Sequence, residues 1–289
     1  MIYKFFNLLI RIIDVFKLPD GLIIFINIIL SKIKINPIVS GIKNSKLNNF
    51  IKKLFVYDAG YNLIRIGKKK DGGYLIPDIL NKINYCFSPG VGLSTDFEDH
   101  LKKKKILSFL ADGTVDNPST TNKKYSFIKR NLNTFNDHKN MTLKKWISDK
   151  LILEKNVNKL GLMLQMDIEG SEIKIINHIK NSDLKKFKVM LIEFHYFQSI
   201  ATKGGLKIYN KIFSKILKNF IIVHIHPNNC CGFSKINSIN VPNLMEFTFL
   251  NKNMIKYKKL LTYDMPHKYD YKNILNKEDV KLPDYFYKK

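Results

Sequence analysis

The sequence has very little arginine. Among its 289 residues only Arg11, Arg65 and Arg130 are arginine, so the other 46 of the 49 basic residues are lysine. Arginine makes the bidentate contacts to phosphate and guanine that nucleic-acid-binding proteins use. The net charge of +25 therefore does not predict a specific nucleic-acid partner. We interpret most of the lysines as solvated surface, with an anionic membrane or a charged glycan as the alternative.

Cysteine is also scarce. Cys86, Cys230 and Cys231 provide neither a disulfide framework nor a C-x-x-C pair of zinc ligands. This scarcity favours a reducing compartment, and we expect a cytoplasmic protein. The composition, with 45% hydrophobic and 25% charged residues, excludes collagen, coiled coil and wholesale disorder.

Long apolar runs are missing as well. The first forty residues contain two apolar stretches, separated by Pro19 and Gly21, and neither reaches the ~20 residues of a membrane-spanning helix. Two interpretations stay open: helices packed on the domain, or an amphipathic anchor through residues 1–36 at the inner face of a membrane. We divide the chain into this helical segment (1–40), a main domain (41–251) and a basic extension rich in tyrosine and lysine (252–289).

From Leu63 onward, short β-branched runs alternate with helical patterns. The segments on either side of Asp71-Gly72-Gly73 predict a β-hairpin, and the later alternation predicts βαβ units. The last predicted strand follows its predecessor without room for a long helix, so we expect it to be antiparallel. The predicted fold is α/β: a doubly wound, mostly parallel, Rossmann-like sheet with an antiparallel last strand, preceded by the hairpin and the N-terminal helices. Residues 126–133 are predicted to be helical.

Ligands of such sheets bind beyond the carboxyl ends of the strands. After the first core strand, Gly90 and Gly92 permit a tight turn, and Thr95 with Glu98 predicts a capping box that begins a helix. The third glycine of a dinucleotide fingerprint is missing, which argues against NAD. Asp112 ends the next strand, 22 residues after Gly90, where an acidic residue binds a ribose diol in Rossmann-type sites. A simple turn or cap at Asp112 is the alternative.

Further ionisable residues follow the later strands. Asp167 begins an Asp-Ile-Glu-Gly-Ser-Glu block directly after a buried apolar strand, and a plain helix N-terminus is the alternative interpretation. Glu193 and His195 follow another strand, and His226 follows a third. His195 has a side chain suited to a general base. Asp167, Glu193, His195 and His226 are also residue types that ligate metals.

The order of these blocks resembles the FkbM-type methyltransferases, a branch of the class I S-adenosylmethionine-dependent fold. The resemblance extends from about Ile64 to Leu250. Its marks are Arg65-Ile66-Gly67, Asp71-Gly72-Gly73-Tyr74, Ser88-Pro89-Gly90-Val91-Gly92, Asp96-Phe97-Glu98, Thr142-Leu143, Asp167-Ile168-Glu169-Gly170-Ser171-Glu172, Glu193-Phe194-His195, His226-Pro227-Asn228-Asn229, and Pro242 with Glu246.

The resemblance implies an S-adenosylmethionine site. The Gly90/Gly92 loop would approach the methionine end of the cofactor, Asp112 would hold its ribose, and Asp167 would lie beside the site of methyl transfer. Ser88 and Glu98 belong to the same cofactor-binding block, although Ser88 stands where the family has an acidic residue.

The sequence thus predicts an O-methyltransferase acting on a sugar hydroxyl or another small-molecule or glycan acceptor. We expect His195 to be the first candidate for the general base and Asp167 the second, with Glu193 and His226 as further catalytic residues. No metal is required. Two alternatives stay open: a metal-dependent hydrolase using Asp167, Glu193, His195 and His226, and a non-catalytic, membrane-associated binding module. The acceptor and the oligomeric state cannot be read from the sequence.

Overall fold

The computed structural model describes Leu22 and residues 42–118, 125–154, 160–236 and 239–288. In chain order the strands are β1 (Tyr57–Asp58), β2 (Leu63–Ile66), β3 (Tyr74–Pro77), β4 (Tyr85–Pro89), β5 (Leu107–Ala111), β6 (Ser126–Ile128), β7 (Asn131–Leu132), β8 (Asn140–Met141), β9 (Leu162–Met166), β10 (Phe187–His195), β11 (Phe220–Pro227), β12 (Phe233–Ile236), β13 (Ile239–Pro242), β14 (Leu244–Asn251) and β15 (Lys259–Leu260). The α-helices are α1 (Asn44–Ile51), α2 (Asp96–Lys103), α3 (Leu143–Lys150), α4 (Glu172–His178), α5 (Asn181–Leu184) and α6 (Lys203–Leu217).

A seven-stranded sheet forms the centre of the protein, in the order β6-β5-β4-β9-β10-β14-β11. The pairs from β6 to β10 are parallel, and β14 runs antiparallel to both β10 and β11. The chain adds β5 and β6 on one side of β4 and later adds β9 and β10 on the other. The topological switch point therefore lies between β4 and β9, which is where such sheets bind ligands. The predicted Rossmann-like α/β fold is confirmed.

The two faces of the sheet differ because successive side chains of a strand point to opposite sides. One face is apolar along the length of the strands and packs against α1, α3, α4 and α6, with side chains such as Leu164, Ile192 and Phe247 in its core. The other face packs against α2 and the β2–β3 hairpin through residues such as Met163 and Leu191. Toward the carboxyl ends of the strands this second face becomes polar, and the candidate site lies there.

The helix α6 illustrates how the sequence determines a local element. Thr202 precedes it, and the Thr202 hydroxyl accepts a hydrogen bond from the backbone N–H of Gly205 at 2.9 Å. Leu206, Tyr209 and Phe213 then recur at intervals of three and four residues and are all buried. This spacing gives the helix one apolar face, which packs on the sheet.

The helix predicted at residues 126–133 is wrong. These residues form β6 and β7, and β6 pairs in parallel with β5 at the edge of the central sheet. The segment contains only a few apolar residues, among them Phe127 and Ile128, so its periodicity is too short to distinguish a strand from a helix. The segment becomes a strand because its backbone pairs with the free backbone groups of β5.

The predicted capping box at α2 is also wrong, although Thr95 is the N-cap residue. The hydroxyl of Thr95 donates a hydrogen bond to the carboxylate of Asp99 at 3.2 Å. Glu98 turns inward and hydrogen-bonds to Ser88 instead. The carboxyl group of Glu98, which the motif predicts to cap the helix, therefore binds the buried hydroxyl of Ser88 instead.

The segment after Asn251, predicted as an extension, packs into the main core. Its buried apolar residues include Leu261, Met265, Leu282, Phe286 and Tyr287. The backbone of Val56 is hydrogen-bonded to this segment twice: it donates to the carbonyl of Tyr287 and accepts from the N–H of Leu261, both at 3.0 Å. The same segment also reaches the polar part of the sheet, where Asn273 contacts Glu246.

The helices predicted within residues 1–40 lie outside the described residues, Leu22 apart. In the described part of the chain, no helix has the length and apolar character needed to cross a membrane.

Cys230 and Cys231 are neighbours in the chain and are joined by a disulfide bond, which the sequence does not predict. Cys86 is a buried free thiol.

Candidate active site

The loop after β4 approaches the end of β9 so closely that only glycine fits. Gly90 has a φ of +83°, and a Cβ atom there would lie 1.6 Å from the carbonyl oxygen of Asp167. The Gly90 N–H donates to the carbonyl of Ala111, the last residue of β5, at 2.8 Å. Gly90 thus joins the ends of three neighbouring strands at the switch point.

Gly92, two residues further, faces open space. Its φ is +58°, and a Cβ atom there would meet no atom of the described residues within 4 Å. The Gly92 N–H donates to Oδ2 of Asp112 at 2.9 Å. Oδ1 of Asp112 accepts from the backbone N–H and the hydroxyl of Thr114 at 2.7 and 2.6 Å. The structure therefore brings Gly92 and Asp112, both predicted to bind the cofactor, into contact. It also shows Asp112 stabilising the turn that follows β5, which is the alternative role predicted for it.

Beneath the glycine loop, Ser88, Glu98 and Gln165 form a buried polar group. The hydroxyl of Ser88 hydrogen-bonds to the carboxyl of Glu98 and lies 2.6 Å from Oε1 of Gln165. Burial raises the pKa of Glu98 to about 7, although the hydrogen bond to Ser88 acts against it. A carboxyl group is consequently present beside the serine where the family resemblance expects an acidic residue.

At the carboxyl ends of β9 and β10, a histidine lies among three carboxylates. Nδ1 of His195 is 3.2 Å from Oε1 of Glu172, and its Nε2 is 3.4 Å from Oε2 of Glu169 and 3.8 Å from Oδ1 of Asp167. The side chain of His195 is 12% exposed and that of Asp167 is 27% exposed. Two predicted catalytic residues therefore lie together, and both reach the surface of the site.

Glu172 holds the histidine in place. It is fully buried at the start of α4, and its Oε1 accepts hydrogen bonds from the backbone N–H groups of Ile168 and Gly170 at 2.9 and 3.2 Å. The same oxygen contacts Nδ1 of His195. This contact fixes the ring and turns Nε2 toward Asp167. The Asp-Ile-Glu-Gly-Ser-Glu block therefore both begins α4 and contributes side chains to the candidate site.

The electrostatics of this group determine its protonation. Burial alone would lower the pKa of His195, but the carboxylate of Glu172, followed by those of Asp167 and Glu169, raises it to about 9. Burial raises the pKa of Asp167 to about 7, while the positive charge of His195 acts in the opposite direction. At neutral pH His195 is mostly protonated, and Asp167 can take up or release a proton.

Glu193 and His226 lie on the same polar face, on the two strands that flank β14. In the sheet register both are directly opposite Glu246 of β14, Glu193 from β10 and His226 from β11. Nδ1 of His226 is 3.4 Å from Oε2 of Glu246, and Asn228 donates to Oε1 of Glu193 at 2.9 Å. Burial, reinforced by the charges of Asp167 and Glu246, raises the pKa of Glu193 well above its usual range.

Two segments from outside the sheet complete this region. Asp71 comes from the loop of the β2–β3 hairpin, and Asn273 comes from the C-terminal segment. Nδ2 of Asn273 donates to Oδ1 of Asp71 at 3.1 Å and to Oε1 of Glu246 at 2.7 Å. The backbone N–H of Asp71 donates to the carbonyl of Asn273 at 3.3 Å. The hairpin and the C-terminal segment therefore meet near the start of β14.

The four residues named as metal ligands for the hydrolase alternative do not form one set. Among the described residues, side-chain groups of metal-ligand type that lie within 4.8 Å of one another form two sets: Asp167 with Glu172 and His195, and Asp71 with Glu193 and Glu246. His226 belongs to neither. This separation weakens the alternative of a metal-dependent hydrolase using that quartet.

Some residues of the region were not predicted as site residues. Glu246 and Asp71 stood only among the marks of the family resemblance, and Glu172 only within the acidic block. Gln165 carried a signal, because it is the polar residue in an otherwise apolar strand. Asn273 carried none, since its segment has no periodicity that would predict where it lies.

No protein-family model matches this chain, and the search of curated proteins found no match either.

Proposed function

We propose that this protein is an S-adenosylmethionine-dependent O-methyltransferase acting on a hydroxyl group of a sugar or another small molecule. One observation carries the proposal. At the switch point of the sheet, a glycine loop facing open space lies against an acidic residue of the next strand, and a histidine–carboxylate group follows the strand on the other side. The resemblance of the sequence to FkbM-type methyltransferases supports the same function.

The residues fit such a cofactor. Oδ2 of Asp112 accepts one hydrogen bond, from Gly92, and a carboxylate oxygen has two lone pairs, so it can accept a second from a ribose hydroxyl. The open side of Gly92 leaves room for a ligand to approach the backbone. The antiparallel strand between β10 and β11 departs from the dinucleotide-binding strand order and agrees with the class I methyltransferase fold.

When bound, the cofactor supplies a methyl group activated on a sulfonium. The protein must hold the acceptor oxygen in line with that methyl group and remove the proton of the hydroxyl. Asp167 can take the proton at neutral pH, and His195 can take it once it is deprotonated, toward pH 9. Both side chains are partly exposed, and Nε2 of His195 lies 3.8 Å from Oδ1 of Asp167. Glu172 orients the ring of His195, so the nitrogen that would accept the proton is Nε2.

Isothermal titration calorimetry of the full chain tests the proposal. We expect one S-adenosylmethionine per chain with a dissociation constant within about 1 μM–1 mM, the range of typical Michaelis constants, and comparable binding of the demethylated product. NAD serves as the control and is expected not to bind. If neither S-adenosylmethionine nor its demethylated product gives binding heat, and circular dichroism shows that the protein is folded, the proposal is rejected. The non-catalytic binding module would then be the better hypothesis.

Replacement of Asp112 by alanine is expected to weaken binding of S-adenosylmethionine by ~1–3 kcal/mol, because a buried donor of the ligand would lose its acceptor. Thr114→Val is the matched control: it removes one hydrogen bond to Asp112 and leaves the carboxylate in place. Calorimetry of both variants distinguishes the roles. Equal losses in the two would mean that Asp112 acts by shaping the loop.

A further inference from the structure

Three carboxylates meet at the polar end of the sheet, next to the group around His195. They belong to Asp71, Glu193 and Glu246, and one oxygen of each lies within 4.8 Å of the others. Glu193 and Glu246 are 3% and 7% exposed. Mutual repulsion and lost hydration make such an arrangement costly unless something positive or hydrogen-bonded compensates for it.

The partners found in the protein compensate for only part of this charge. Within the described ranges, no lysine or arginine forms an ion pair with any of the three. Glu246 faces the ring of His226 and accepts from the amide of Asn273, and Glu193 and Asp71 each accept from one amide. The guanidinium of Arg65 lies near Glu246, but it donates to the backbone carbonyls of Lys68, Lys70 and Tyr269.

A second observation points to a ligand. Asn273 is 7% exposed, and its Oδ1 is buried without any hydrogen-bond partner. The amide nitrogen of the same group donates to both Asp71 and Glu246, so the tip of the side chain lies at the carboxylates. A buried amide oxygen normally finds a donor or a cation. Here the unused oxygen belongs to an amide group whose nitrogen contacts two of the three carboxylates.

We infer that Asp71, Glu193, Glu246 and Asn273 form a binding site for one divalent cation that prefers oxygen ligands, such as Mg²⁺, Mn²⁺ or Ca²⁺. Carboxylates and amide carbonyls are the ligands of these ions, with contacts of about 2.0–2.6 Å. Ligands on opposite sides of one ion then lie roughly 4–5 Å apart and adjacent ligands lie closer, and the three carboxylate oxygens lie within 4.8 Å of one another. The absence of a thiolate in this set disfavours soft metals.

The role of this site rests on the proposed function. Glu193 and His195 lie two residues apart on β10, so their side chains point to the same face of the sheet, and the cation would lie beside the group around His195. A cation there can bind two neighbouring oxygens of an acceptor, as in a vicinal diol of a sugar, and so position one of them for methylation. Methyl transfer itself needs no metal, so the ion acts by positioning.

Titration of the full chain with MnCl₂ in the absence of cofactor tests the site, with free Mn²⁺ measured by electron paramagnetic resonance. We expect one Mn²⁺ per chain with a dissociation constant of about 10⁻⁶–10⁻⁴ M, displaced by Mg²⁺ or Ca²⁺. Asp71→Asn and Glu246→Gln are expected to weaken binding at least tenfold, since each removes a charged ligand. Asp149→Asn is the matched control, because Asp149 is an exposed carboxylate on α3 that pairs with Lys145.

Circular dichroism of each variant establishes that it is folded. Asp71 is exposed, so Asp71→Asn is the variant expected to disturb folding least. Dissociation constants above about 1 mM, or equal binding by Asp71→Asn and Asp149→Asn, would overturn the cation site. Calorimetry with S-adenosylmethionine in EDTA separates the two proposals. Cofactor binding without Mn²⁺ binding rejects only the cation site, and Mn²⁺ binding without cofactor binding rejects only the methyltransferase.

Discussion

Replacing His195 by alanine is expected to lower turnover by ~10²–10⁴-fold, the usual contribution of a positioned general base. The imidazole lies 3.8 Å from Asp167 on the side where the acceptor is proposed to bind. Affinity for S-adenosylmethionine should change little, since the glycine loop and Asp112 belong to other strand ends. The measurement is the rate at which labelled methyl groups reach an acceptor identified by screening hydroxyl compounds with the wild-type protein.

His195→Asn separates this role from a structural one. The amide nitrogen of asparagine can take the place of Nδ1 and keep the contact with Glu172, but asparagine cannot accept a proton at neutral pH. A general base therefore predicts that both variants are equally slow. If asparagine restores turnover, His195 acts by holding Glu172 and the start of α4. Near-normal turnover in His195→Ala would reject both roles and make Asp167 the leading candidate.

The pH dependence of turnover distinguishes the two candidate bases. A base must be deprotonated to act, so the rate falls as the pH drops through its pKa. The pKa of His195 is raised to about 9 and that of Asp167 to about 7. A rate that keeps rising toward pH 9 indicates His195, and a plateau reached between pH 7 and 8 indicates Asp167. Because the groups interact, the profile reports values that belong to the pair.

The same shift affects stability. The pKa of His195 is about 9 in the folded protein and near 6.5 in an unfolded chain. A raised pKa contributes stability that is fully present below pH 6.5 and is lost as the pH rises through 9. The difference in free energy of unfolding between wild type and His195→Asn should therefore be largest at about pH 6 and should shrink toward pH 9.5.

The sequence predicts the strands of the sheet well, because buried parallel strands are continuous apolar runs bounded by turns. The segment from Leu160 to Asp167 predicts β9, and the structure places that strand at Leu162–Met166. Segments with weak patterns are predicted poorly. The sequence predicts a helix where the edge strand β6 forms, and it does not predict α3, although the N-cap residue Thr142 accepts a hydrogen bond from Lys145.

The candidate site is only half predictable, for a physical reason. Residues at the carboxyl ends of strands, such as Asp167 and His195, can be located because parallel strand ends share one edge of the sheet. Contacts across strands depend on register: Glu246 faces both Glu193 and His226 only because β14 inserts between β10 and β11. Asn273 arrives from an irregular segment whose course is fixed by tertiary packing, so no local pattern predicts it.

Gly90→Ala is expected to destabilise the protein severely, by more than about 4 kcal/mol, which is exceptional for a single substitution. The new Cβ would lie 1.6 Å from the carbonyl oxygen and 2.6 Å from the carbonyl carbon of Asp167. These are backbone atoms at the end of a central strand and cannot move without separating β4 from β9. The left-handed conformation at φ +83° adds roughly 1–2 kcal/mol for a residue with a side chain.

Gly92→Ala is the matched comparison, because it shares the positive φ without the clash. We expect it to cost only about 1–2 kcal/mol of stability and to leave the protein folded, while its methyl group enters the open space where the cofactor is proposed to lie. Urea unfolding measures the first effect and calorimetry with S-adenosylmethionine the second. At least a tenfold loss of affinity in Gly92→Ala, at nearly wild-type stability, would support a ligand against the glycine loop. Unchanged affinity would place the ligand elsewhere, because the added methyl group would then occupy space that no ligand uses.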